Sequence, residues 1–282
     1  MSSRRFRDIF ATCPRRSYGE AVSNGGDFDP AEVPIRPAAT VMLVREWSGA
    51  VEVFMMRRTT KAAFAGGMYV FPGGAVDAAD STGGGPSERG DTSYEMASIR
   101  ECFEEAGVLL ACDRSGRTVR FDDPDVARRF TDYRHVVHSG ERSMTSVLDA
   151  EGLTPRFDHL SWVAHWITPF GEVRRFDTRF FVAAMPADQD PLHDDVETVD
   201  SLWVEPRVAL ERATSGDLLM LPPTMANLGF LANHRTVDDV MSAARAFGTP
   251  PRILPKVVWG DDGRITALLM PGDDGYDEIP ER

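Results

Sequence analysis

Three glutamates in one short stretch of the chain have the clearest potential for chemistry. Glu101, Glu104 and Glu105 are spaced i, i+3 and i+4, so a helix, which advances about 100° per residue, carries them on one face. Like charges at this spacing repel one another and weaken an isolated helix. A bound cation reverses that effect, and carboxylate oxygens suit Mg²⁺ or Mn²⁺ held together with substrate phosphates. The alternative is a solvated acidic helix face.

The segment around the glutamates carries start and stop signals of a helix. Thr92 and Glu95 have the spacing of a capping box, and Gly107 stands where a left-handed C-terminal residue belongs. The apolar residues of the segment fall on the face away from the glutamates. Upstream, a predicted strand ends in a Pro-Gly-Gly turn, whose Gly73 and Gly74 allow backbone to approach an anion or metal closely. We therefore expect a helix that presents carboxylates to a glycine turn.

The stretch from Arg100 to Val108 reads Arg-Glu-Cys-Phe-Glu-Glu-Ala-Gly-Val. It resembles the second half of the Nudix box, Arg-Glu-U-x-Glu-Glu-x-Gly-U with U apolar, at every fixed position. The first half of the box is Gly-x5-Glu, and counting from Gly74 puts Asp80 at the place of the acid. Nineteen residues, 81–99, separate Asp80 from Arg100, which is more than the box has. We interpret the excess, a glycine-rich loop, as an insertion that leaves the helix intact.

The resemblance implies a fold and an activity. The fold is α/β (α+β), a mixed β-sheet between helices, and the activity is hydrolysis of a nucleoside diphosphate linked to another moiety. In such enzymes acidic residues of the box hold Mg²⁺ or Mn²⁺ on the diphosphate while water attacks phosphorus. The expected metal ligands are therefore the box acids Glu101, Glu104, Glu105 and Asp80.

Two further roles follow from the same resemblance. Arg100 is expected to orient a carboxylate, either Glu104 or Asp80. The general base varies among branches of the family, from a glutamate of the box to an acid on a later loop. Glu197 is the candidate outside the box, with a surface acid as the alternative.

Several segments are similar to the coenzyme A diphosphatase-like branch of the Nudix family, namely the interrupted box, residues 166–169 with 175–181, and residues 270–273. The coenzyme A signature before the glycine turn is partly kept. Arg58 is in register, Ala63 replaces the second arginine, and Lys61 lies two residues from it. Expected substrate-binding residues are Arg58, Lys61, Gly73 and Gly74.

The expected substrate is coenzyme A or acyl-coenzyme A, cleaved to 3′,5′-ADP and 4′-phosphopantetheine or its acyl derivative. Within the same chemistry, ADP-ribose, NADH and nucleotide sugars are alternatives. A different class of function, a Nudix fold kept as a non-catalytic ligand sensor, is disfavoured by the intact glutamates.

The predicted elements divide the chain into three parts. Residues 1–35 form a polar arm, residues 36–206 the Nudix domain, and residues 207–282 an α/β extension packed on that domain. The domain carries insertions at 81–91 and 112–154. The longer insertion is a candidate lid or pocket wall, with simple packing as the alternative for its aromatic residues, Phe121, Phe130 and Tyr133, and the nearby Phe157.

The composition of the chain indicates which partners and which compartment to expect. The 282 residues are 42% apolar, enough for a full-sized core, and a net charge of −13 disfavours nucleic acid and anionic membranes. Three cysteines without CxxC spacing favour a reducing, cytoplasmic compartment over a disulfide framework. The N-terminus has no apolar secretory segment, and we interpret its arginines as a surface arm rather than a transit peptide. We expect a small-molecule partner; homodimerisation through the arm or the C-terminal helices is left open.

Overall fold

The computed structural model describes residues 29–60, 62, 65–82, 92–192, 198–260 and 265–281. The first half of the described chain contains strands β1 (Ile35–Trp47), β2 (Ala50–Arg58), β3 (Tyr69–Val70), β4 (Gly73–Ala75) and β5 (Ala111–Cys112), with helices α1 (Ser93–Ala106) and α2 (Pro124–His138). The second half contains α3 (Met144–Glu151), β6 (Thr154–Pro155), β7 (Ser161–Ile167), β8 (Arg175–Ala184), β9 (Thr198–Val204), α4 (Pro206–Thr214), α5 (Pro222–Leu231), α6 (Val237–Arg245), β10 (Arg252–Ile253), β11 (Lys256–Trp259) and β12 (Ile265–Leu269).

Eight of the strands form one mixed sheet. Its main path runs β10-β7-β8-β1-β2-β3, with β4 also paired to β1 and β9 also paired to β2. The pairs β1–β8 and β10–β7 are parallel, and the other pairs are antiparallel. The strand β1 therefore holds β8 along one edge, and along its other edge it holds β4 at Ala38–Thr40 and β2 at Val44–Trp47.

Both faces of the sheet are covered, which explains why β1 is almost continuously apolar. On one face Val41 and Leu43 pack with Ile99 and Cys102 of α1. On the other, Met42 and Val44 share a core with residues of the C-terminal helices, including Leu228 and Met241. The sheet thus lies between helices, and the expected α/β architecture with a mixed sheet is confirmed.

The insertion helices α2 and α3 add a further layer outside α1. Their residues Phe130, Val137 and Leu148 form a separate apolar cluster with Met96 and Phe103 of α1. The C-terminal segment adds β10 to the edge of the sheet and contributes helices to the core on the opposite face. The division of the chain into three parts stays a prediction.

The helix predicted between Thr92 and Gly107 is present as α1, and only the hydrogen bond at its N-terminus differs from the expectation. Gly107 ends the helix with φ 69°, and its N–H donates to the carbonyls of Cys102 and Phe103. The expected capping box is wrong in its hydrogen bond, because the Thr92 side chain caps no N–H among the described residues. Asp123 and Ser143 cap α2 and α3 with their side chains. Within the part of the chain described, no helix combines the length and apolarity needed to cross a membrane.

Candidate active site

A buried arginine organises the acidic face of α1. The Arg100 Nε donates to Asp80 Oδ1 at 3.0 Å, and its Nη2 donates to Asp80 Oδ2 at 3.1 Å and to the Ala75 carbonyl at 2.8 Å. Its Nη1 donates to Glu101 Oε1 at 2.9 Å and to Glu104 Oε1 at 3.1 Å. Burial lowers the pKa of Arg100, but the bond to Asp80 and the neighbouring carboxylates raise it above its ordinary value. One guanidinium thus fixes three carboxylates.

The prediction that Arg100 orients Glu104 or Asp80 agrees with these contacts, which include both residues. Asp80 is 2% exposed, and besides Arg100 its Oδ2 accepts the N–H of Asp77 at 2.7 Å. Both oxygens of Asp80 are therefore engaged in holding Arg100 and the turn after β4. Its assignment as a metal ligand stays a prediction.

Glu104 is buried and contacts a histidine of the insertion. Its Oε2 lies 3.6 Å from Nδ1 of His138, which comes from the insertion helix α2. Burial raises the pKa of Glu104, and the charge and hydrogen bond of Arg100 oppose that increase. Glu104 does not line the cavity described below. The sequence contained no signal for this contact with His138.

Glu101 and Glu105 face the glycine turn instead. The N–H of Gly73 donates to Glu105 Oε2 at 2.8 Å, and Arg58 Nη1 lies 3.8 Å from Glu105 Oε1. A Cβ on Gly74 would stand 2.3 Å from Glu101 Oε1, so only glycine leaves room for this carboxylate. The predicted neighbourhood of Arg58, the two glycines and the box glutamates therefore exists in the fold.

A cavity of about 590 Å³ opens at this point. Glu101, Glu105, Arg58 and the glycine turn lie on its wall, and it extends along the face of the sheet past Arg36, Thr40, Thr178 and Arg174. The remaining wall is mostly apolar and comes from β7, β8 and the C-terminal segment: Trp166, Ile167, Pro169, Phe176, Phe180, Leu221, Pro222, Pro223, Pro255 and Leu268. The cavity therefore joins a carboxylate end to an apolar wall.

The insertion does not provide this wall, which corrects one expectation. Phe121, Phe130 and Tyr133 pack on one another, with ring centroids 5.2 and 5.7 Å from that of Phe130. With Phe157 they belong to the cluster behind α1 and are not among the cavity residues. The packing alternative is confirmed, and the C-terminal segment takes the position expected for the insertion.

The insertion supports α1 in another way. Arg134 of α2 donates from Nε to the Glu104 carbonyl at 2.7 Å and from Nη2 to the Glu105 carbonyl at 2.8 Å. These carbonyls belong to the last turn of α1, where a cation also favours the helix dipole. No signal in the sequence marked Arg134, because a lone arginine on an amphipathic helix is usually solvated.

The donor set suits a hard divalent cation. Glu101 and Glu105 present two carboxylates to one cavity, and Mg²⁺ is typically held by one or two carboxylates together with substrate phosphates. Across the described residues, no three His, Cys, Asp or Glu side chains are already gathered as a complete metal-binding group, since Arg100 and the Gly73 N–H hold the acids. Two sequence candidates, Lys61 and Glu197, lie outside the described residues.

Comparison with known proteins agrees with this site. A family model described as the NUDT19 Nudix domain matches residues 85–231, just over half of the chain. The chain is 27% identical to the Gallus gallus protein named acyl-coenzyme A diphosphatase NUDT19, over 82% of this chain and 74% of that one. It is 26% identical to the Homo sapiens protein of the same name, over 86% and 80%.

A solved structure supports the fold. The crystal structure of a Nudix hydrolase from Alicyclobacillus acidocaldarius superposes with a TM-score of 0.66 and 28% identity, covering 75% of this chain and 97% of that one. The match of the family model to residues 85–231 includes α1 with its full set of glutamates. The chain therefore belongs to the Nudix hydrolase superfamily, in the family of the NUDT19 Nudix domain.

Proposed function

We propose that this protein is a divalent-metal-dependent diphosphatase that hydrolyses coenzyme A and acyl-coenzyme A to 3′,5′-ADP and the corresponding 4′-phosphopantetheine. The observation that carries the proposal is the lining of the cavity, which combines Glu101, Glu105 and Arg58 with a largely apolar wall. The names of the chicken and human relatives point to the same substrate.

The proposed roles follow from the contacts. Glu101 and Glu105 hold the cation and, with Arg58, receive the diphosphate, while Glu104 shares Arg100 with Glu101. Arg100 and Asp80 are positioning residues, because Arg100 holds Glu101 and Glu104, Asp80 holds Arg100, and neither lines the cavity. The N–H of Gly73 orients Glu105, and Gly74 leaves space for Glu101. The general base is a box glutamate or Glu197.

A bound Mg²⁺ or Mn²⁺ would neutralise charge on the phosphoryl oxygens and lower the pKa of a coordinated water. The chain's own contribution is positional. Arg100 holds Glu101 in one orientation before substrate binds, and Arg58 supplies a fixed positive charge beside Glu105. Such preorganised charges stabilise a transition state without reorganising during the reaction.

The apolar wall favours coenzyme A derivatives over the alternatives. ADP-ribose, NADH and nucleotide sugars carry polar rings beyond the diphosphate, whereas pantetheine and an acyl chain present the flexible apolar surface that Trp166, Phe176, Leu221 and Leu268 would cover. The sensor alternative is disfavoured because the carboxylates at the cavity are intact and oriented.

A substrate panel tests the proposal. Purified protein is incubated in Mg²⁺ and in Mn²⁺ with coenzyme A, an acyl-coenzyme A, ADP-ribose, NADH and a nucleotide sugar, and the phosphate products are separated. We expect 3′,5′-ADP from the coenzyme A substrates at the highest kcat/KM. AMP from ADP-ribose or NADH as the main product would contradict the assignment of coenzyme A as the substrate. Metal-dependent binding without turnover would favour the function of a ligand sensor.

We also propose a small-molecule partner and a cytoplasmic location. The negative net charge opposes nucleic acid, and the two described cysteines, Cys102 and Cys112, are free and buried, as in a reducing compartment. A homodimer remains part of the proposal, tested by the mass of the protein in solution.

A further inference from the structure

Two arginines lie together in the cavity away from the glutamates. Arg36 is in β1 and Arg174 immediately precedes β8, and both line the cavity wall. In the parallel β1–β8 pair Arg36 is opposite Phe176, two residues from Arg174. Alternate residues of a strand point to one face, and Phe176 also lines the cavity. Arg36 of β1 and Arg174, just before β8, therefore both border the cavity near Phe176.

Neither arginine is matched by a carboxylate in the described part of the chain. No ion pair or hydrogen bond of the Arg36 or Arg174 side chain is found there, in contrast to Arg58 and Arg100, which contact box glutamates. The third carboxylate of the cavity wall, Glu172, is buried at 9% exposure, whereas both arginines are exposed. Two adjacent cations in a cavity favour an anionic group of the ligand.

The position of the pair is set by the register of β1. Thr40 is paired with Gly73, whose N–H holds Glu105, so Thr40 marks the carboxylate end of the cavity. Arg36 lies four residues along the same strand and on the same face, which corresponds to about 13 Å between Cα atoms. The long arginine side chain spans part of that distance. The anion bound there is therefore separate from the diphosphate at Glu101 and Glu105.

We propose that Arg36 and Arg174 bind the 3′-phosphate on the ribose of coenzyme A. This inference rests on the proposed function, and it explains how the protein recognises that phosphate although Ala63 replaces the second arginine of the coenzyme A signature. Among the substrates considered, coenzyme A and its thioesters alone carry a phosphate apart from the diphosphate. The pair therefore determines specificity without touching the bond that is cleaved.

The test compares coenzyme A with dephospho-coenzyme A, which lacks the 3′-phosphate. In the double variant Arg36→Ala/Arg174→Ala we expect kcat/KM for coenzyme A to fall about 10- to 100-fold, mainly through KM, as for a lost charged hydrogen bond. In the same variant, kcat/KM for dephospho-coenzyme A should change less than about threefold. The Arg36→Lys/Arg174→Lys variant should keep most of the activity on coenzyme A. Arg57→Ala is the matched control, since Arg57 is exposed on β2 outside the cavity.

Failure of this inference is distinguishable from failure of the proposed function. An equal loss on both substrates, or no loss on either, would overturn the subsite while the diphosphatase activity stands. If the wild-type protein cleaves neither substrate, calorimetry with 3′,5′-ADP and AMP still decides. If the wild-type protein binds 3′,5′-ADP more tightly than AMP and the double alanine variant does not, the subsite is supported. Equal affinities of the wild-type protein for the two nucleotides contradict it.

Discussion

Arg100 and Asp80 form a bidentate ion pair, with bonds of 3.0 and 3.1 Å, across nineteen intervening residues of the chain. The pair connects the turn after β4 to α1, which keeps α1 in contact with the glycine turn. An insertion at this place therefore does not separate the two halves of the site. Because the arginine also holds Glu101 and Glu104, the pair connects the stability of the fold to the orientation of the carboxylates.

Replacing the arginine of this pair should affect stability and activity together. Lysine cannot make two parallel hydrogen bonds to a carboxylate, so Arg100→Lys leaves Asp80 and Glu104 incompletely paired in a buried site. We expect the free energy of unfolding to fall by about 3 kcal/mol in denaturant titrations, and kcat to fall at least tenfold, as expected for lost electrostatic orientation. Arg129→Lys, at the more exposed bidentate pair with Glu151, is the control and should change little. Wild-type kcat in Arg100→Lys would show that the arginine does not position the glutamates.

The two glycines of the turn should respond differently to alanine. A Cβ on Gly74 meets the carboxylate of Glu101, which can move aside, whereas a Cβ on Gly73 meets the Ala39 carbonyl at 2.5 Å and the Thr40 Cα at 2.7 Å. We expect Gly74→Ala to remain folded and lose most of its kcat, and Gly73→Ala to lose several kcal/mol of stability because backbone must move. Thermal unfolding and single-turnover assays measure the two effects. Equal losses of stability and of kcat in the two variants would contradict the expectation that the two glycines have different roles.

The contact between the insertion and α1 should stabilise the helix. Arg134→Ala removes charged hydrogen bonds to the carbonyls of Glu104 and Glu105, so we expect a loss of about 2 kcal/mol in the free energy of unfolding. Arg128→Ala, at an exposed position on the same helix, controls for helix propensity. Identical unfolding curves for the two variants would mean that water replaces Arg134 at these carbonyls.

The apolar wall from the C-terminal segment should determine the preference for the acyl group. Leu268→Trp fills part of the cavity, so kcat/KM for a long-chain acyl-coenzyme A should fall about tenfold relative to free coenzyme A. Leu219→Trp, at an exposed position outside the cavity, is the matched control. If Leu268→Trp lowers kcat/KM equally for both substrates, the acyl chain does not bind along this wall.

Local signals predicted the elements of the fold better than their assembly. The apolar run of β1 and the glycine after α1 have local causes, namely burial on two faces and a left-handed C-terminal residue. The glutamates were identified from spacing, and Gly73 and Gly74 from their freedom of backbone approach.

The wall of the cavity depends on long-range packing and was assigned to the wrong segment. Leu221, just before α5, and Leu268 of β12 line the cavity although both are distant in sequence from β7 and β8, and no local pattern encodes that contact. Arg36 alternates with Ala38 and Thr40 on one face of β1, and the apolar run that indicates this strand does not reach it. Arg174 becomes its neighbour only through the parallel pairing of β1 and β8.

The most direct test of the central claim is product release from coenzyme A by the wild-type protein and by Glu101→Gln and Glu105→Gln. These variants keep the shape of the two side chains and remove the charges that face the cavity. We predict metal-dependent release of 3′,5′-ADP by the wild-type protein, at least 100-fold slower release by each variant, and retained folding in all three. Undiminished release of 3′,5′-ADP by either variant, or none by the wild-type protein in Mg²⁺ or Mn²⁺, would contradict the account.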